Sequence, residues 1–258
     1  RDIGVTGVQT CALPICWTLA NFYFRHGREA EFVRWARETL LMAYGDSAPL
    51  FDMAQGMLSS ADRIRGEVLP AGRRPVWIQY AFWAAAKREW SEAEAAAAWL
   101  GNPKDDAERG ALSGLAETLL ANYRNETALD LWQRLGRRGV PSLEWRTQAH
   151  KGVSAITFAS DRRWRLNLTG DQPERCELLV RLVPPGTGEM KWRPEPVVEG
   201  FSWEVRSHTL PPAPTRRIAW KEGRLALPEG AVARVALVYE RPPRHVRFEG
   251  ELPVELIP

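Results

Sequence analysis

Proline and alanine are sorted to opposite halves of this chain. Of the 19 prolines, five fall in residues 1–140 and fourteen in residues 141–258, while alanine runs the other way, 23 against nine. Alanine is the strongest helix former, proline the weakest, and proline with β-branched residues suits strands broken by turns. The expectation is therefore an α+β chain of two domains, helices first and strands second. At 258 residues there is length for two cores. With 45% apolar and 26% charged residues the composition excludes a disordered or fibrous polymer.

Charge divides the same way. Residues 17–146 carry 17 basic and 17 acidic side chains, whereas residues 147–258 carry 17 and 14. A formal net charge of +3 is small for a nucleic-acid partner, and none is expected. A GC-rich coding sequence accounts for 30 arginines against five lysines better than an arginine-rich binding surface does. No stretch approaches the roughly 20 apolar residues of a membrane-spanning helix.

In the first half, apolar residues recur at helical spacing in short blocks: Trp17–His26, Arg28–Tyr44, Pro49–Leu58, Ala61–Leu69, Pro75–Lys87, Ser91–Leu100, Asp105–Asn122 and Glu126–Leu135. Gly27, Gly136 and Gly139 suit helix ends, Ser47 suits an N-cap before Pro49, and Ser91 with Glu94 reads as a capping box. None of these helices can bury its apolar face alone, so neighbouring pairs must stack.

The segment before Trp17 stands apart. Residues 5–15, VTGVQTCALPI, resemble the translation of a sequencing-library adapter, and residues 1–16 are set aside as an artefact on that basis. The expectation is then an N-terminally truncated chain whose natural sequence resumes near Trp17. Cys176 is then the one dependable cysteine of three.

Leu115-Ala116, Leu119, Ala128, Trp132 and Leu135 sit at the spacing of tetratricopeptide-like helical repeats, as do Leu19-Ala20, Tyr23 and Gly27. The chain resembles that family over about 120 residues, and WTLANFYFRHGREAEFVRWARETLLMAYGDSAPLF, residues 17–51, is similar to a group of large, uncharacterised bacterial tetratricopeptide proteins. Phe32 departs from the pattern, standing where a small residue is expected, and residues 75–100 match loosely. The resemblance implies a repeat solenoid over residues 17–140, a protein partner, and a place in the cell envelope with an anchor and further repeats upstream. By repeat geometry the first helix of each pair lines the groove, making Asn21, Arg25, Gln79 and Tyr80 the candidate partner-binding residues.

The second half alternates with period two. Trp164, Leu166 and Leu168 oppose Arg163, Arg165 and Asn167; Phe201, Trp203 and Val205 oppose Ser202, Glu204 and Arg206; Val235, Leu237 and Tyr239 oppose Arg234 and Glu240; Val246 and Phe248 oppose His245, Arg247 and Glu249. Further strands are expected at residues 154–159, 177–183, 216–220 and 254–257, with breaks at Pro184-Pro185-Gly186, Pro211-Pro212, Pro228-Glu229-Gly230 and Pro242-Pro243. Strands at this spacing over residues 147–258 read as an antiparallel β-sandwich.

Reaction chemistry is sparse. His26, His150, His208 and His245 have no Cys or His within five residues, so no metal site is expected. Cys176 reads as a buried thiol, Pro185-Gly186-Thr187-Gly188 lacks the frame of a phosphate loop, and no cofactor is implied. Glu174 with Glu177, or Glu249 with Glu251, are carboxylate pairs of a kind common without catalysis. Arg162-Arg163, Arg216-Arg217 and Arg241 with Arg244 read as solvated loops. Trp164, Trp203 and Trp220 read as core; Trp192, between two proline–glycine breaks, reads as core packing first and as the candidate ligand platform second. The expected function is a non-enzymatic scaffold that binds a protein through a helical-repeat groove. The alternative is a carbohydrate-binding β module in a surface-polysaccharide system.

Overall fold

Apolar residues three and four apart put one buried stripe on each helix of the first half. The structure, a computed structural model, describes residues 6–160, 163–192, 199–242 and 247–257, without the side chains of residues 6–12, 154–160, 163–164 and 248–257. Arg162, Arg193, Arg244, His245 and Val246, and the side chains of Trp164, Phe248, Glu249 and Glu251, lie outside what is described. Among the described residues the chain is a mixture of helices and antiparallel sheet. It divides into two compact units, residues 1–119 with 126–139 and residues 120–125 with 140–258.

The helices are α1 (Thr6–Arg25), α2 (Glu29–Met42), α3 (Ala48–Leu58), α4 (Ala61–Arg63), α5 (Arg74–Ala86), α6 (Trp90–Leu100), α7 (Asp106–Ala121) and α8 (Asn125–Arg134). α1 reaches further back than expected, with Pro14 inside it. α4 is shorter than expected, because the chain widens into a π-helical turn over Ile64–Val68 that closes with Leu69 N donating to Ile64 O at 3.0 Å. Pro70 then ends the helix. Ser91 lies inside α6, whose N-cap is Glu89, so the capping box expected at Ser91 does not form; Glu89 O takes the first amides, from Glu92 and Ala93. At α3 the free amide of Ala48 is met by Asp46 Oδ1 at 2.9 Å rather than by the Ser47 hydroxyl.

The stripes meet as a core. Phe32, Ala36 and Leu40 of α2, Leu50, Phe51 and Ala54 of α3, and Tyr80, Ala81 and Ala84 of α5 are all essentially inaccessible. Each large apolar side chain buried in this way stabilises the fold by about 1.5–3 kcal/mol. Alanine at Ala93, Ala96 and Ala97 lets α6 approach its neighbours closely.

Polar contacts tie one helix pair to the next. Arg63 donates to Glu29 Oε1 at 2.7 Å, Gln79 Nε2 to Gly45 O at 3.1 Å, and Arg74 to both oxygens of Glu108 at 2.8 Å, each spanning 34 residues. Arginines also satisfy the open carbonyls at helix ends: Arg73 on Ala43 O (3.0 Å), Arg74 on Leu100 O (2.6 Å), Arg109 on Leu135 O (3.1 Å) and Arg134 on Ala97 O (2.8 Å).

The second unit holds β1 (Arg146–Thr147), β2 (Val153–Ser160), β3 (Arg163–Leu168), β4 (Arg175–Val183), β5 (Glu189–Trp192), β6 (Phe201–Ser207), β7 (Arg216–Ala219), β8 (Arg224–Ala226), β9 (Ala233–Glu240) and β10 (Phe248–Ile257). They form two five-stranded antiparallel sheets, ordered β1-β4-β9-β6-β7 and β2-β3-β10-β5-β8. Leu166, Leu168, Met190, Trp192 and Leu225 from the second sheet share one buried cluster with Cys176, Leu178, Phe201, Trp203, Val205, Val235 and Leu237 from the first. Trp203, fully buried, has the rings of Trp145, Trp192 and Trp220 at 5.7, 5.8 and 6.4 Å.

Four features differ from the expectation. β1, β5 and β8 are additional strands, and β10 is one strand where two were expected. Pro253, which has no N–H, ends the pairing of β10 with β3, and from Val254 the strand pairs with β5.

Candidate functional site

Helices α1 and α5 carry the candidate partner-binding residues, and adjacent positions on a helix diverge by about 100°. Arg25, in the last turn of α1, is exposed, and Asn21 is half-buried one turn earlier. Gln79 is half-buried and fully engaged, its Oε1 accepting from Ser47 N at 3.0 Å while its Nε2 holds Gly45 O. It clips the α2–α3 loop. Tyr80 is fully buried, so it offers no surface to a partner: its hydroxyl donates to Glu92 Oε2 at 3.2 Å and its ring stacks on Trp83, with Phe51 edge-on. Burial beside Glu92 pushes the phenol well above its ordinary range.

A polar cluster that the sequence did not single out joins two first helices. Asp52 Oδ1 of α3 accepts from Trp83 Nε1 of α5 at 3.0 Å and from Lys87 Nζ at 2.8 Å. The hydrogen bonds from Lys87 and then Trp83 hold the Asp52 carboxyl below its ordinary value. Asp52 and Lys87 remain about half exposed, at 49% and 47% of their side-chain surface, so the cluster is an accessible acid–base pair backed by an indole. Asp52 and Trp83 lie 31 residues apart in the sequence, and no local motif joins them. Nearby, Tyr44 is 87% exposed, with the Arg73 guanidinium 5.9 Å from its ring centre.

A cavity of about 290 Å³ lies between α1, α2 and the α2–α3 loop, bounded by Trp17, Leu40, Tyr44 and Leu50. Leu13 and Pro14 of α1 close its remaining wall.

In the β unit Trp192 is buried, with 6% of its surface exposed, and its Nε1 donates to Trp220 O at 2.6 Å. The reason is β5: Met190 and Trp192 point inward while Lys191 points out, an alternation too short to stand out between two breaks. Trp192 is therefore core, and its ring faces are unavailable for stacking on a sugar.

The carboxylate pair near β4 separates too. Glu174 is exposed, while Glu177 takes two hydrogen bonds from Arg234, at 2.7 and 3.2 Å. Burial works to raise the Glu177 carboxyl, but the Arg234 hydrogen bonds and the charges of Arg234, Arg175 and Arg206 hold it below its ordinary value. A general acid needs the opposite shift. Cys176 is 3% exposed and burial pushes its thiol up, which disfavours a thiolate nucleophile.

The outer face of the β4-β9-β6-β7 portion of the first sheet is a lattice of ion pairs: Arg175 with Glu204 (2.8 Å), Arg217 with Glu240 (2.6 Å) and Arg234 with Glu177. No helix of the described residues is long and apolar enough to cross a membrane. No family model, curated protein or solved structure matches this chain.

Proposed function

We propose that the chain is a non-enzymatic scaffold that binds a protein partner through the first-helix side of a tetratricopeptide-like solenoid, followed by an antiparallel β-sandwich. It would form part of a larger membrane- or envelope-associated bacterial protein, with residues 1–16 derived from adapter sequence. The observation that carries this reading is the recurrence of 34 residues, the tetratricopeptide period, between Glu29 and Arg63, Gly45 and Gln79, and Arg74 and Glu108. Stacked helical hairpins of about that length bring residues roughly one period apart in the chain into contact. The groove residues on this reading are Asn21, Arg25, Asp52 and Lys87; Gln79 and Tyr80 serve the stack itself.

The test is a peptide-display selection on the full chain, followed by titration of the recovered peptides against Arg25→Glu and Asp52→Lys variants. Recovered peptides should share a motif and lose about ten-fold or more in affinity with either change. Peptides that bind both variants as well as the parent would sink the groove assignment. The carbohydrate alternative loses the platform that suggested it at Trp192. A glycan array should retain nothing, and retention of one glycan class would reverse that preference.

A further inference from the structure

Each sheet of the β unit ends in a short strand, and the chain itself brings the two ends to one side. β7 pairs only with β6 and β8 only with β5 among the described residues. The single 3₁₀ turn Trp220–Glu222 carries the chain from β7 in one sheet to β8 in the other. Between the two edges lies a cleft of about 730 Å³, walled by Arg216, Ile218, Ala219, Glu222, Arg224 and Glu189. Alternate N–H and C=O groups of an edge strand face away from its one neighbour and are open to a further strand.

The charges around this cleft are uneven. Arg217 is occupied by Glu240 and Ser202 Oγ, and Glu189 by Lys191 at 3.1 Å. Arg216, Lys221 and Arg224 are exposed and make no ion pair among the described residues, against Glu222 alone. The same arginines discourage self-pairing, since a second β7 would bring like charges together along one ladder. An acidic strand meets the opposite situation.

We propose that the cleft between β7 and β8 receives an extended acidic peptide segment of a protein partner, which adds to β7 as a sixth strand and sets its carboxylates against Arg216, Lys221 and Arg224. Backbone hydrogen bonds supply the affinity in this mode, and the side-chain charges select the sequence. The site is in the β unit and independent of the helical groove proposed above. Either can fail without the other.

The probe is a labelled peptide of about ten residues alternating glutamate with valine and threonine, titrated against the full chain, with a lysine-for-glutamate version as comparison. The acidic peptide should bind about ten-fold or more tightly than the basic one, and the preference should shrink as salt rises. Hydrogen exchange at residues 216–219 should slow on binding. A chain carrying Arg216→Glu and Arg224→Glu should bind about ten-fold more weakly with unchanged thermal unfolding; the Arg216→Gln, Arg224→Gln pair serves if that chain misfolds. N-methylation of alternate peptide residues should abolish binding. The proposal is overturned by absence of binding, by binding that leaves exchange at 216–219 unchanged, by equal affinity for both peptides, or by a self-associated chain whose β7 amides are already protected.

Discussion

Arg74 and Glu108, 34 residues apart on α5 and α7, form a two-pronged ion pair, Nε to Oε1 and Nη2 to Oε2, both at 2.8 Å. Little of either side chain is exposed, 14% and 10%, and Lys104 N adds a third donor to Glu108 at 2.8 Å. Arg74 also donates from Nη1 to Leu100 O and from Nη2 to Asn102 O. One pair thus holds two first helices and the end of α6 in register.

Removing one partner of such a pair leaves the other charged and largely desolvated. Glu108→Gln should therefore destabilise the helical unit by about 3 kcal/mol, seen as a lower denaturant midpoint. The Arg74 hydrogen bonds hold the Glu108 carboxyl below its ordinary 4.5. A depressed carboxylate contributes stability that is complete above its unfolded value and is lost as pH falls through its folded value. The parent chain should lose this contribution progressively below about pH 4.5, and Glu108→Gln should flatten that part of the pH profile. An unchanged profile would mean that the pair contributes nothing.

Asp52 offers the exposed counterpart. It too is held low by hydrogen bonds, from Lys87 and Trp83, but water screens a half-exposed pair. Asp52→Asn should change stability by less than about 1 kcal/mol while shifting the emission of Trp83. A loss as large as that at Glu108 would show the cluster to be structural.

Trp192 separates a core role from a ligand platform by stability alone. Trp192→Ala should cost the β unit about 3–5 kcal/mol, through lost burial and the vacated space beside Trp203 and Trp220. Trp192→Phe should cost less. If Trp192→Ala unfolds at the parent temperature, the residue is not in the core.

Gly200 has no room for a side chain. Its φ is +85°, and an added Cβ would lie 2.3 Å from Glu240 O, an oxygen of the adjoining strand. Gly200→Ala should destabilise by about 2 kcal/mol or more, measurable by chemical denaturation. The equivalent change at Gly186, also at positive φ but with open space around it, should cost less.

Local periodicity made most of the elements legible. Phe32, Ala36 and Leu40, or Val235, Leu237 and Tyr239, announce their buried face because a helix or strand repeats its side chains every 3.6 or 2 residues. Short elements escaped. β1, β5 and β8 have two, four and three residues, too few to show a period, and α4 is shorter than its apolar spacing suggests because the helix widens into a π-turn at Ile64. The candidate site was legible in its helices but not in its residues: Arg25 lies on the surface, yet Tyr80 and Gln79 turned inward and Asp52 took their place.

The sequence by itself determined which half is helical, which half is strands, and where most elements begin and end, since these follow from backbone preferences over a few residues. Only the tertiary structure decided that Trp192 is core rather than rim, that Arg74 finds Glu108, and that β7 and β8 end as neighbouring open edges. Those outcomes depend on contacts between residues distant in the chain. A side chain's burial and partner are set by what the rest of the fold brings against it.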